Sequence, residues 1–181
     1  MIYVVIAIVV ILIVLLCVGY NQLIRLKNMV KDQWSQIDVL LKRRCDLIPN
    51  LVETVKGYAT HEKETLEAVI NARNKSVTAN SVNDSTIANS ELTNALNKLF
   101  ALSEAYPDLK ANTNFIDLQK NLKETEDKIA YARQFYNDTV LKYNNKVEMV
   151  PTNIVAVLFG FKKYDFFEIS DEDRQVTKVK F

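Results

Sequence analysis

The stretch from Gln36 to Tyr58, QIDVLLKRRCDLIPNLVETVKGY, sets Lys42, Arg43 and Arg44 directly before Cys45 and Asp46, with Asn50 just beyond a proline. A thiol beside two guanidinium groups is an arrangement that lowers a cysteine pKa and makes it nucleophilic. The same basic run could dock an anionic partner. Cys45, however, falls in phase with an apolar stripe that runs through the stretch, and on such a stripe cysteine acts as a small hydrophobe. A catalytic thiol therefore has little support.

Other reaction chemistries fare worse. His61 heads HEKET, which lacks the second histidine that a zinc-protease helix needs four residues on. A single histidine also excludes a di-iron carboxylate bundle, which needs a Glu-x-x-His pair on each of two helices. Two cysteines build neither a disulfide framework nor, with that one histidine, a four-ligand zinc site. Three scattered glycines cannot form a phosphate-binding loop or a nucleophile elbow. The expectation is a non-enzymatic protein with no catalytic residue, cofactor or metal. Nucleic acid is an unsuitable partner, because 23 basic against 22 acidic residues leave a formal charge of only +1.

The elements that carry these residues begin with a membrane segment. Ile2 to Gly19 contains no charge, and 18 residues of helix span roughly 27 Å, close to the hydrocarbon thickness of a bilayer. A cleaved signal peptide would want a basic leader and a small-residue cleavage site, and a lipoprotein signal a small residue where Leu16 precedes Cys17. Arg25, Lys27 and Lys31 follow the segment and no Lys or Arg precedes it, so the positive-inside rule puts the amino terminus outside and the rest in the cytoplasm. The expected protein is single-pass in the cell membrane, with residues 1–20 as anchor and 21–181 as the cytoplasmic domain.

Beyond the anchor, Leu23, Leu26, Val30, Trp34, Ile37, Leu41, Cys45, Ile48, Val52, Val55 and Ala59 recur at steps of three or four that average 3.6. The phase survives Pro49, which predicts one long helix kinked there, with two helices meeting at the proline as the alternative. Gly57 marks its end and Thr60 the N-cap of a second helix carrying Leu66, Val69, Ile70 and Val77 on one face. The polar tract Ser76 to Thr86 reads as a connection. A third helix carries Leu92, Leu96, Leu99 and Leu102 and stops before Pro107. The fourth runs from near Phe115 to Pro151. Long helices with few turn residues predict an all-α fold in which residues 21–150 form an antiparallel four-helix bundle. Residues 151–181 add a short apolar helix, opened by Pro151 and closed by Gly160, and an extended tail laid along the bundle. The apolar helix is expected to cap the bundle, with an interfacial membrane segment as its alternative.

On this architecture Lys42, Arg43, Arg44, Asp46 and Asn50 form one polar cluster beside the core stripe. Its simpler reading is a pairing face, with stems over apolar surface and heads on Asp46 or on the acidic stretch Glu124 to Asp127. Its sharper reading is a docking site.

The residues from Tyr20 to Lys75 resemble the LemA family of bacterial membrane proteins. The resemblance is carried by Tyr20-Asn21 after the apolar segment, Trp34-Ser35, Ile37-Asp38-Val39, Leu41-Lys42-Arg43-Arg44, Asp46 to Val52, Gly57-Tyr58-Ala59, His61-Glu62 and Ala72-Arg73. Asn114 to Phe161 is similar to the family's carboxy-terminal helix and its proline-led apolar cap, and YDFFEI and KVKF extend the match to nearly the whole chain. Leu40, Cys45 and the tract Ser81 to Thr86 depart from the pattern. The resemblance implies an amino-terminal anchor, an antiparallel four-helix bundle, a membrane location and no active site; some relatives are associated with building internal membranes. The expected function is an interaction or scaffold module at the cytoplasmic face with protein partners. The alternative is a membrane-organising protein that self-associates as a homo-oligomer.

Overall fold

The computed structural model describes residues 1–167, and all regular structure among them is helical. The elements are α1 (Ile2–Lys56), α2 (Lys63–Thr78), α3 (Val82–Ser103), α4 (Pro107–Lys110), α5 (Thr113–Glu148) and α6 (Thr152–Leu158). The expected tail segments beyond Phe167, including KVKF, lie outside the described residues.

α1 runs through Pro49 without interruption, so the two-helix alternative does not hold. Proline has no N–H to offer the carbonyl four residues earlier, which here belongs to Cys45. The Nε–H of Arg73, on α2, donates to that carbonyl at 3.4 Å. A side chain from a neighbouring helix thus takes the place of the missing backbone donor, and the helix need not break.

The connections differ from the sequence expectation in two places. After Lys56 the N–H groups of Tyr58 and Ala59 both turn back to the Val55 carbonyl, and Glu62 N–H then bonds Ala59. That turn consumes the residues around Thr60, so α2 starts two residues later than Thr60 would set it, with Glu62 in the N-cap position. The Glu62 carboxylate accepts instead from the Tyr106 hydroxyl at 2.9 Å. The polar tract is also shorter as a connection than expected. Ser81 caps α3 by accepting from the Asp84 N–H at 3.0 Å, and Asp84 accepts from the Ser81 hydroxyl. This is the Ser-x-x-acid signature of a helix start, with aspartate in the place of glutamate, and it makes residues 82–86 helical.

The chain divides into two compact units. Residues 37–131 enclose an apolar core: Cys45, Ile48, Leu51, Val52 and Val55 of α1 pack with Leu66 and Val69 of α2, Leu92, Leu96 and Leu99 of α3, Leu109 of α4, and Phe115 and Leu122 of α5. On α2 the buried face is Leu66, Val69 and Ala72, while the expected Ile70 and Val77 are exposed. Leu66, Val69 and Ala72 centre that face on Val69, and helical pitch puts residues 70 and 77 about 100° and 80° away from it.

The second unit joins residues 1–36 to 132–166. Leu23 and Val30 of α1 and Tyr136, Val140 and Tyr143 of α5 are buried in it, with Trp34 stacked edge-on to Tyr136 at 6.1 Å. The extended stretch after α6 is tied to α5 by an amide clamp: Asn144 Nδ2 donates to the Tyr164 carbonyl at 2.9 Å and its Oδ1 accepts the Tyr164 N–H at 3.0 Å. Tyr143 and Tyr136 hydroxyls add bonds to the Lys162 and Asp165 carbonyls. These polar contacts meet backbone groups that an extended segment would otherwise leave unpaired. α6 ends with Phe161 N–H bonded to Ala156 and Gly160 N–H to Val157, and Gly160 has φ 69°, the left-handed value this closing motif needs.

Candidate functional site

The five residues of the polar cluster share α1 but not an environment. Arg44 is 3% exposed, whereas Lys42, Arg43, Asp46 and Asn50 face solvent. Arg44 follows the apolar stripe into the unit of residues 37–131, and side chains of two other helices meet its guanidinium there. Nη1 donates to Asn89 Oδ1 at 2.5 Å and Nη2 to Thr93 Oγ1 at 2.9 Å, both on α3. Nη1 also lies 2.6 Å from Glu126 Oε2 of α5, an ion pair that is not aligned as a hydrogen bond.

Burial lowers the Arg44 pKa and the charge of Glu126 opposes that shift. The guanidinium stays charged, because an arginine pKa starts so high that burial of this kind cannot neutralise it near pH 7. A cation whose two Nη atoms meet a carboxylate, an amide and a hydroxyl inside the protein is a fastener between helices α1, α3 and α5, although its Nε is buried without a hydrogen-bond partner. Asp46 takes no part in this contact. On the solvent side, Lys42, Arg43, Asp46 and Asn50 form a strip of mixed charge along α1; the Asn50 carbonyl accepts from Thr54 Oγ1 at 2.8 Å within the helix.

Asn89, Thr93 and Arg73 escaped the sequence reading. Asn89 had a usable signal, since it sits one turn before Leu92 and Leu96 in the buried phase of α3, and a polar side chain there requires a partner. Nothing local marks Arg73 as the donor for the Cys45 carbonyl, because that contact spans 28 residues. Cys45 itself is buried. Among the described residues, no three histidine, cysteine, aspartate or glutamate side chains are placed to hold a metal ion.

Three tyrosines depart from their ordinary acidity. Tyr136 is pushed up to about 12, first by burial and then by the charge of Asp165. Tyr143 is raised by burial and by Tyr164. Tyr106 is raised by its hydrogen bond to Glu62. All three shifts favour the neutral phenol, which is the form that donates its bond.

From Ile2 to Leu15 the large apolar side chains of α1 are about half exposed or more, on every side of the helix. The segment is long and apolar enough to cross a membrane.

Comparison with known proteins places these features in a family. The LemA family model matches residues 33–181. Protein LemA of Metamycoplasma hominis is 26% identical over 155 residues, which cover 85% of this chain and 71% of that protein. Magnetosome proteins MamQ 1 and MamQ 2 of Paramagnetospirillum magneticum are each 25% identical over 179 residues, covering 84% of this chain and 66% of theirs. Magnetosome protein MamQ of Magnetospirillum gryphiswaldense is 24% identical over 178 residues, covering 84% and 65%. The chain spans about two thirds of the length of the MamQ relatives it matches.

Proposed function

Because the chain belongs to the LemA family, we propose that it is a non-enzymatic, membrane-anchored helical protein that presents charged helix surface to other proteins at the cytoplasmic face of the membrane. Residues 1–20 are the anchor, crossing once with the amino terminus outside. Residues 21–181 are the cytoplasmic domain, with α1, α2, α3 and α5 as an antiparallel four-helix bundle over 21–150 and residues 151–181 as cap and tail.

One observation carries this reading. α1 is a single helix that is apolar and exposed all round as far as Leu15 and beyond Leu23 buries one face only, leaving Lys42, Arg43, Asp46 and Asn50 in solvent. Water does not tolerate the first part uncovered, and the second part keeps an unspent charged strip. Arg44 is excluded from that strip because it is buried, with both Nη atoms engaged inside. The magnetosome association in the names of the MamQ relatives agrees with a role on membranes, but belongs to those proteins.

A second reading is favoured by Tyr131 and Phe135, one helical turn apart on α5 and both more than 60% exposed. Large aromatic side chains left in solvent at this spacing suit a contact between copies, and hence a self-associating, membrane-organising protein.

Crosslinking in native membranes followed by mass spectrometry tests the choice. A photoreactive residue at Lys42 or Asp46 is expected to capture other proteins. Adducts with further copies of the chain alone would contradict the module and support self-association.

A further inference from the structure

α6 is apolar on two sides, and only one of them is used. Thr152, Val155 and Ala156, spaced i, i+3 and i+4, are buried. Ile154, Val157 and Leu158 repeat the same spacing about half a turn away and are 60%, 84% and 66% exposed. A short helix with apolar residues on both sides needs a non-aqueous surface on each.

The place of α6 in its unit identifies the second surface. It crosses α1 at Gly19, the last residue before the first polar positions Tyr20 to Gln22: a Cβ there would stand 3.2 Å from Val155 Cγ2 and 3.7 Å from Thr152 Cγ2, so glycine is what permits the approach. Just beyond, the Tyr20 ring meets Phe159 at 4.8 Å and Phe161 at 5.8 Å. Phe159 also closes a shallow apolar cleft with Leu16, Cys17 and Tyr20. Lys27 Nζ lies 5.5 Å from the centre of the Phe161 ring, and Lys162 and Lys163 follow directly. Aromatic rings with lysines one step further from the apolar run are the composition of a membrane–water interface. α6 thus stands beside the end of the apolar run of α1, meeting it at Gly19 and, through Phe159, at Leu16 and Cys17.

We propose that α6 is a second membrane contact, with Ile154, Val157 and Leu158 immersed at the boundary between headgroups and acyl chains beside the point where α1 leaves the bilayer. The proposal rests on the reading of residues 2–19 as the anchor. Seven residues rise only about 10 Å, too little to span, so α6 lies at the interface and does not cross. Its other side stays packed on α1, which reconciles the capping and interfacial roles weighed for this segment. The contact fixes the rotation of α1 and the orientation of its unit against the membrane, which one spanning helix alone would leave free to swivel.

The test uses the full chain in vesicles of phosphatidylcholine and phosphatidylglycerol, with Cys17→Ala and Cys45→Ala as background and nitroxide labels at Ile154→Cys or Val157→Cys. Collision with oxygen, which favours lipid, and with a nickel chelate, which favours water, reads the depth. Val14→Cys and Val39→Cys serve as references for anchor and solvent. Labels at 154 and 157 are expected to give an oxygen-to-nickel ratio several-fold above that at 39 and below that at 14. Water-like ratios at 154 and 157 with a lipid-like ratio at 14 overturn the proposal and spare the anchor. A water-like ratio at 14 defeats the anchor reading instead. A label at 157 shielded from both reagents and broadened by a second spin overturns the proposal in favour of contact with another copy.

Discussion

From Ile2 to Leu15, α1 is apolar on every side and stays exposed; from Leu23 to Val55 it is apolar on one side only, and that side is buried. The backbone is the same unbroken helix in both. Apolar content alone therefore does not bury a residue. Burial in the protein follows the 3.6-residue stripe that neighbouring helices can cover, whereas an unpatterned apolar surface has no such partner and calls for lipid. The second half even admits a charge to its core, at Arg44, where helices α3 and α5 supply the contacts.

The largest effect is expected where the buried half is made to fail. Arg44→Ala strips Asn89, Thr93 and Glu126 of their common partner and leaves a cavity, and should cost about 3–5 kcal/mol in denaturant unfolding. Arg44→Met keeps the volume and should recover only the cavity part of that loss, because Asn89, Thr93 and Glu126 still lack their partner. Equal losses for both variants would mean that the charge itself is indispensable.

The contrast between the halves can be probed with the same substitution in each. Ile11→Arg puts a cation in the middle of the apolar run and is expected to weaken membrane insertion by about 3 kcal/mol, read as release of the chain into the alkaline carbonate extract. Val39→Arg, on an exposed face of the second half, should alter neither extraction nor unfolding by more than about 0.5 kcal/mol.

Tyr136 gives the buried half an alkaline limit. Its folded pKa near 12 lies above the ordinary value of 10.0, so the folded state holds that proton more tightly than the unfolded state does. The associated stability, roughly 2–3 kcal/mol, is complete below pH 10 and is lost as the pH rises from 10 towards 12. Tyr136→Phe should flatten this part of a stability–pH curve, at the expense of the bond to the Asp165 carbonyl.

A smaller effect tests how α1 stays continuous. Arg73→Ala removes the donor to the Cys45 carbonyl and should cost about 1 kcal/mol. Pro49→Ala restores the backbone N–H, so the Arg73→Ala cost should shrink in that background; additive losses would show that the two sites are not coupled. Smallest of all, Asp46→Ala should change unfolding by under about 0.5 kcal/mol, so any loss of crosslinked partners in that variant would report docking and not folding.

Much of this was legible in the chain itself. Every position of the stripe from Leu23 to Ala59 is buried or partly buried, because a regular period over so many residues leaves a helix only one face to cover. The helical passage through Pro49 was legible for the same reason, although its mechanism was not: Arg73 reaches Cys45 only after α1 and α2 have packed. Local turn chemistry was read less well. Thr60 looked like a cap until the turn around Ala59 displaced it, and the Ser81–Asp84 signature was hidden by the polar residues around it. The cluster at Lys42 to Asn50 was legible as composition but not as geometry. Adjacent residues on a helix point about 100° apart, so Arg44 enters the core and meets the acidic stretch at Glu126 while Arg43 beside it remains in solvent.

The account stands or falls on which side of the membrane each half of α1 serves. Trypsin is a suitable probe, since the first lysine or arginine of the chain is Arg25 and every cleavage site lies beyond the apolar run. Added to intact protoplasts, trypsin is expected to leave the chain at full length in the membrane fraction, and after lysis to digest it. Digestion in intact protoplasts, with a control cytoplasmic protein untouched, would contradict the proposed cytoplasmic module.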